Sequence, residues 1–140
     1  MPINKTTPYP IKELIFPDVF KVLNEVNSRG LKIGLASSSV KADILRALEE
    51  NHLNGFFDVV LSGEEFKESK PNPEIYLTAL KHLNVEANQA LIIEDSEKGI
   101  AAGVAAGVEV WAIKDNRFDM DQGAAKGLLD NLIDVLDLLK

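Results

Sequence analysis

Residues 90–103 read ALIIEDSEKGIAAG, and this stretch decides the fold. Its first four residues are apolar, as in a strand that is buried on both faces of a parallel sheet. Two acids, Glu94 and Asp95, follow at once, and a helix of small residues is then predicted from Ser96 to Ala106, ended by Gly107. This order of apolar strand, polar strand end and helix is typical of one unit of an α/β fold.

The same alternation extends outward on both sides of this stretch. Strands are predicted at residues 32–36, 58–61 and 108–113. Amphipathic helices are predicted near residues 17–29, 40–51, 73–83 and 128–139. Residues 1–15 contain three prolines and no apolar periodicity, which predicts a lead-in or linker remnant before an α/β core at residues 16–140.

Composition narrows the class of protein. A length of 140 residues indicates one domain with a core of its own. The net charge is −7, which argues against nucleic acid or an anionic membrane as the main partner. Cysteine is absent, which excludes thiol catalysis and disulfides. With no signal-peptide pattern and no apolar run of roughly 20 residues, the expected location is the cytoplasm.

Polar residues follow two of the predicted strands. Ser37, Ser38 and Ser39 offer hydroxyl groups and backbone N–H groups before a helix, which is suited to an anion. The alternative is that Ser39 merely caps that helix. Lys70, followed by Pro71, would neutralise a phosphate as a point charge, or else be an ordinary surface lysine.

The third strand end carries the paired acids Glu94 and Asp95. Adjacent carboxylates need a cation or hydrogen-bond partners to stay ionised, and Mg²⁺ takes such oxygen ligands. The alternative is helix capping by Asp95 or Ser96. A hydroxyl, a lysine and two carboxylates at successive strand ends together indicate Mg²⁺-assisted phosphoryl transfer.

Three segments, residues 35–39, 70–76 and 92–103, resemble motifs II, III and IV of the haloacid dehalogenase superfamily, in its β-phosphoglucomutase-like phosphatase branch. The resemblance implies a three-layer, Rossmann-like core with a mostly parallel sheet. It implies that Ser37 and Ser38 bind the phosphoryl group and that Lys70 neutralises it, with Ser37 and Lys70 serving catalysis. It also implies that Glu94 and Asp95 bind Mg²⁺, and that the substrate is a small phosphorylated compound such as a sugar phosphate.

The family's motif I, an apolar strand that ends in Asp-x-Asp, has no counterpart here, and neither does its cap domain. That motif supplies the covalent nucleophile and the general acid/base. Asp18 lies at a helix start, not at a strand end. Residues 118–123, FDMDQG, contain the same Asp-x-Asp pattern, but no apolar strand precedes them. We therefore interpret them as a solvated acidic loop.

Without motif I, the chain by itself is predicted to be inactive or nearly so, and to bind Mg²⁺ weakly or not at all. The sheet is predicted to lack its central first strand, which would leave two neighbouring strands with unpaired edges. Those edges would pair with each other, with another chain through self-association, or with the missing N-terminal segment. The leading hypothesis is the core of a phosphatase or phosphohexomutase. The alternative is a non-catalytic module that binds phosphate or, through its sheet edges, a partner.

Overall fold

The computed structural model describes the backbone of residues 4–6 and, with side chains, residues 18–114 and 121–139. The elements are β1 (Asn4–Thr6), α1 (Val19–Ser28), β2 (Ile33–Ser37), α2 (Lys41–Glu50), β3 (Val59–Ser62), α3 (Glu74–Leu83), β4 (Ala90–Glu94), α4 (Glu97–Ala105), β5 (Glu109–Ile113), β6 (Gly127–Leu129) and α5 (Val135–Leu138). None of the helices in these ranges is long and apolar enough to cross a membrane.

The six strands form one parallel sheet in the order β3-β2-β1-β4-β5-β6. Strand β1 therefore lies at the centre. Its last residue, Thr6, is opposite Gly34 of β2 on one side and Ile92 of β4 on the other. All strands of a parallel sheet end at the same edge, so the residues that follow β2 and β4 are brought to either side of the end of β1.

The prediction of a vacant centre with unpaired edges on β2 and β4 is wrong, because Asn4–Thr6 of the predicted lead-in pairs with both strands. The physical reason is that parallel pairing is made by backbone N–H and C=O groups, so a polar triplet pairs as an apolar one does. The sequence that follows, Thr7-Pro8-Tyr9-Pro10, still contains no acid. The rest of the lead-in, including Glu13, lies outside the described residues.

Two apolar clusters cover the two faces of the sheet and give the three layers. Alternate strand residues point to opposite faces. Leu91 and Ile93 pack with α1, α2 and the C-terminal turns, whereas Ala90 and Ile92 pack with α3 and α4. Gly103 lets α4 lie close to this second face, since a Cβ there would lie 2.6 Å from Val110 Cγ2.

The C-terminal stretch differs from its prediction as one helix over residues 128–139. Gly127–Leu129 form the edge strand β6, with Leu128 opposite Ala112 of β5. Helical turns begin only at Leu132. The leucines of this stretch fit both a strand and a helix face, and pairing with β5 decides between them.

The central position of β1 is testable by removing one backbone donor. Lys5→Pro deletes an N–H in a strand that is paired on both sides, so we expect a loss of about 1–3 kcal/mol in the free energy of unfolding. Lys5→Thr keeps the N–H and is expected to stay within about 1 kcal/mol of wild type. Urea denaturation followed by circular dichroism measures both, and equal stability of the two variants would contradict a central β1.

Candidate active site

Lys70 joins two strand ends across the central strand. It lies in the loop between β3 and α3, and its Nζ is 3.4 Å from the carbonyl oxygen of Ala36 in β2 and 3.2 Å from Glu94 Oε2 at the end of β4. Ala36 and Glu94 each lie two residues beyond the partners of Thr6, so this ammonium group bridges β2 and β4 just past the last residue of β1. The predicted convergence of a lysine and a carboxylate at one sheet edge is present in the structure.

The Glu94 carboxylate is the most enclosed charge of the site, with 2% of its side chain exposed. Its Oε2 accepts hydrogen bonds from Lys70 Nζ and, at 2.6 Å, from the Tyr76 hydroxyl. Its Oε1 accepts from the backbone N–H of Asp95 at 3.0 Å, and from the N–H and hydroxyl of Ser96 at 3.4 Å. Burying a carboxylate is costly unless it is paired and hydrogen-bonded, and this carboxylate is both.

Tyr76 is a site residue that sequence reasoning missed. Its ring centroid lies 5.1 Å from Lys70 Nζ, within range of a cation–π contact, and its hydroxyl binds Glu94. Burial raises the pKa of the Tyr76 phenol well above its usual range, and the nearby Glu94 charge raises this pKa further, so the hydroxyl keeps its proton. In the sequence Tyr76 belongs to the apolar stripe of α3, and nothing in that pattern marks its hydroxyl.

Ser96 is the N-cap of α4, since its hydroxyl accepts a hydrogen bond from Gly99 N–H at 3.0 Å. This confirms one of the two predicted caps. Asp95 is buried beside it, at 8% exposure. The carbonyl oxygen of Asp95 accepts from Gln122 Nε2 at 2.9 Å, and the same amide group donates to Ile113 at 2.8 Å. Gln122, also missed from sequence, therefore ties the end of β4 to the end of β5.

The serine loop, residues 37–39 after β2, forms more hydrogen bonds within the protein than the sequence predicted. Ser39 is not the N-cap of α2, because Val40 holds that position without a side-chain cap. The N–H of Ser39 donates to Ser37 Oγ at 3.1 Å, and the N–H of Lys41 donates to Glu64 Oε1 at 2.7 Å. The Ser39 amide, which was expected to be available to an anion, therefore binds an acceptor of the protein itself, and so does the Lys41 amide.

The remaining residues considered in the sequence analysis occupy different positions in the fold. Ser37 is buried at the end of β2, one residue beyond the carbonyl that contacts Lys70, whereas Ser38 is exposed. Asp18 is the N-cap residue of α1, as predicted, and not a strand-end acid. Residues 115–120, with most of the Asp-x-Asp pattern, lie outside the described part of the chain. Asp121 is described, and its Oδ1 accepts from Gly123 N–H at 2.8 Å in a local turn.

The two adjacent carboxylates supply the donor type that Mg²⁺ prefers, and Mg²⁺ is often held by one or two carboxylates with water and substrate phosphate. Glu94 and Asp95 have this donor chemistry and are adjacent at the end of β4. Both Glu94 oxygens already accept hydrogen bonds, Oε2 from Lys70 and Tyr76 and Oε1 from Asp95 and Ser96, so a bound ion would take the place of some of these donors. Within the described ranges, no group of three or more His, Cys, Asp or Glu side chains suited to a metal occurs.

Comparison with known proteins gives a consistent set of similarities. The family model described as "Haloacid dehalogenase-like hydrolase" matches residues 11–113. A phosphorylated carbohydrates phosphatase of Thermotoga maritima is 35% identical over 113 residues, which cover 77% of this chain and 52% of that protein.

Two crystal structures share the fold. A candidate β-phosphoglucomutase from Thermotoga maritima has a TM-score of 0.80 at 32% identity, covering 89% of this chain and 61% of that one. CbbY from Rhodobacter sphaeroides, in complex with phosphate, has a TM-score of 0.72 at 28% identity, covering 82% and 53%. The chain thus spans between half and two thirds of the length of these three relatives.

Gly99 tests the packing around Glu94. A Cβ at this position would collide with the Glu94 carboxylate, so we expect Gly99→Ala to lower the free energy of unfolding by about 1–3 kcal/mol. Helix propensity alone would favour alanine by about 1 kcal/mol, so the sign of the change is diagnostic. Gly55→Ala is the control, since a Cβ there meets nothing within 4 Å. Thermal or urea denaturation measures both, and a Gly99→Ala variant as stable as Gly55→Ala would show that Glu94 lies elsewhere.

Proposed function

The chain belongs to the haloacid dehalogenase-like hydrolase family, and from this membership and the geometry of the site we propose that it carries the phosphate-binding and Mg²⁺-binding part of a phosphoryl-transfer site. The observation that carries the proposal is the Lys70–Glu94 contact of 3.2 Å. It brings a cation from the loop after β3 and an anion from the end of β4 to the same buried point. That is the charge arrangement a phosphate monoester and a divalent cation require.

Each residue has a defined part in the proposal. Lys70 neutralises the phosphoryl group as a fixed positive charge. Ser37 and Ser38, at the end of β2, hold phosphoryl oxygens. Glu94 and Asp95 would hold Mg²⁺, which when bound acts as a Lewis acid on phosphoryl oxygen.

The chemistry that this chain supplies stops short of a complete reaction. Phosphoryl transfer through a covalent intermediate needs a nucleophile, and no Asp-x-Asp follows an apolar strand anywhere in the sequence. Strand β1 occupies the central position but reads Asn4-Lys5-Thr6. We therefore propose that the chain by itself binds phosphate esters and turns them over at or near the background rate.

The names of the relatives support small phosphorylated compounds as ligands. One is called a phosphorylated carbohydrates phosphatase, one a candidate β-phosphoglucomutase, and one structure contains phosphate. For this chain we propose sugar phosphates or compounds of similar size. In a parallel sheet, such a ligand sits beyond the carboxyl ends of the strands, where Lys70 lies.

The alternative function is a phosphate-binding module that never catalyses; the missing nucleophile motivated it, but the similarity to a phosphatase does not favour it. It uses the same residues, so the two candidates differ only in turnover. The form of this idea in which open sheet edges bind a partner loses its support, because β1 fills the gap between β2 and β4.

Lys70→Met tests phosphate binding. Removing the ammonium group is expected to weaken the binding of inorganic phosphate at least about tenfold, since a hydrogen bond to a charged group contributes about 1.5–3 kcal/mol. Isothermal titration calorimetry in Mg²⁺ buffer measures the affinity. Lys81→Met, an identical change at an exposed position of α3, is the control and should match wild type. Equal affinities of all three proteins would contradict the assigned role of Lys70.

Turnover is tested separately with p-nitrophenyl phosphate and a panel of sugar phosphates in Mg²⁺. We expect hydrolysis indistinguishable from the buffer blank, since loss of a covalent nucleophile costs on the order of 10⁶ in rate in a well-studied enzyme. Hydrolysis above the blank that disappears in Lys70→Met would show that the chain catalyses by itself.

A further inference from the structure

We infer that Glu94 competes with phosphate for Lys70, so that the metal-free site keeps its own phosphate-binding cation occupied. This inference rests on the proposed function, since it concerns how the same site admits its ligand. The inference predicts a direction of change: neutralising Glu94 raises the affinity for phosphate, although Glu94 is itself a residue of the site.

The competition follows from the geometry of the ion pair. Lys70 Nζ is 3.2 Å from Glu94 Oε2, and the two side chains are 8% and 2% exposed. Solvent screening is weak at such burial, so the attraction between the two charges is large compared with that of a surface pair. In the inferred exchange, phosphate takes the place of Glu94 as the partner of Lys70, and this exchange has a cost because removing one partner of a buried pair is unfavourable.

The hydrogen bonds around Glu94 make the exchange feasible. When Lys70 turns to a phosphate, Oε2 still accepts from the Tyr76 hydroxyl, and Oε1 keeps its donors on Asp95 and Ser96. Tyr76 is therefore a positioning residue: it holds the carboxylate in place while the ammonium group changes partner. The tyrosine ring lies 5.1 Å from Lys70 Nζ, so it also faces the cation that moves.

Substitutions of Glu94 and of its hydrogen-bond partner Tyr76 should therefore have opposite effects on phosphate affinity. Glu94→Gln removes the competing charge and should strengthen metal-free phosphate binding. Tyr76→Phe leaves Oε2 without its second donor, so Lys70 becomes harder to withdraw and phosphate binding should weaken. A general loosening of the fold would weaken binding in both variants. By linkage, any cation that neutralises Glu94 also favours phosphate, and phosphate favours that cation by the same factor.

The test is calorimetric titration of inorganic phosphate into the full chain in buffer containing a chelator, with no divalent cation. We expect Glu94→Gln to bind phosphate about tenfold more tightly than wild type, within the usual range of coupling between sites. Glu97→Gln, an exposed position of α4 with the same charge change, is the control and should stay within about twofold. In the double variant Lys70→Met/Glu94→Gln the gain should disappear, because it depends on the released ammonium group.

Melting curves establish that each variant is folded at the titration temperature. If Glu94→Gln does not fold, Tyr76→Phe carries the test, with an expected weakening of about fivefold. The inference is overturned if folded Glu94→Gln binds phosphate no better than wild type, or if Tyr76→Phe binds at least as well as wild type. Absence of Lys70-dependent phosphate binding in every protein, with and without Mg²⁺, would instead overturn the proposed function.

Discussion

The Glu94 side chain is only 2% exposed, so its negative charge needs an opposite charge and hydrogen-bond donors inside the protein. The site is arranged around this requirement. Lys70 supplies the opposite charge and Tyr76 a short hydrogen bond to the same oxygen. Backbone and hydroxyl donors at the start of α4 satisfy the other oxygen. Gly99 leaves room for the carboxylate against the helix. An alanine at Gly99 or an apolar residue at Lys70 would each disturb the same buried charge.

The sheet makes this arrangement by strand order. Placing β1 between β2 and β4 sets the serine loop and the paired acids on either side of one strand end, and the loop after β3 brings Lys70 across the gap. A lysine side chain is long enough to contact both neighbours at once. The result is a positive charge held over the end of the central strand, where the ligands of parallel α/β sheets bind.

The fold was largely predictable from the sequence because its strands are apolar on both faces and its helices are amphipathic. Glu94 was predictable because an acid directly after a buried apolar strand is conspicuous, and Lys70 because residues 70–76 resemble a family motif. Three features were not. β1 was missed because three polar residues carry no apolar signal, and Tyr76 because a buried tyrosine looks apolar in a helical pattern. The third is the engagement of two backbone amides: Lys41 N–H binds Glu64, which only tertiary structure brings near, and Ser39 N–H binds the neighbouring Ser37 hydroxyl.

The central claim is that the Lys70 ammonium group pairs with Glu94 until phosphate takes the place of Glu94 as its partner. Nuclear magnetic resonance tests this most directly in the unmodified protein, through the scalar coupling across the hydrogen bond between Lys70 Nζ and Glu94 Cδ. We predict that this coupling is observed in the metal-free, phosphate-free chain and is lost at saturating inorganic phosphate, with a change in the Lys70 Nζ resonance. No coupling in the free chain, or a coupling unchanged at saturating phosphate, would contradict the account.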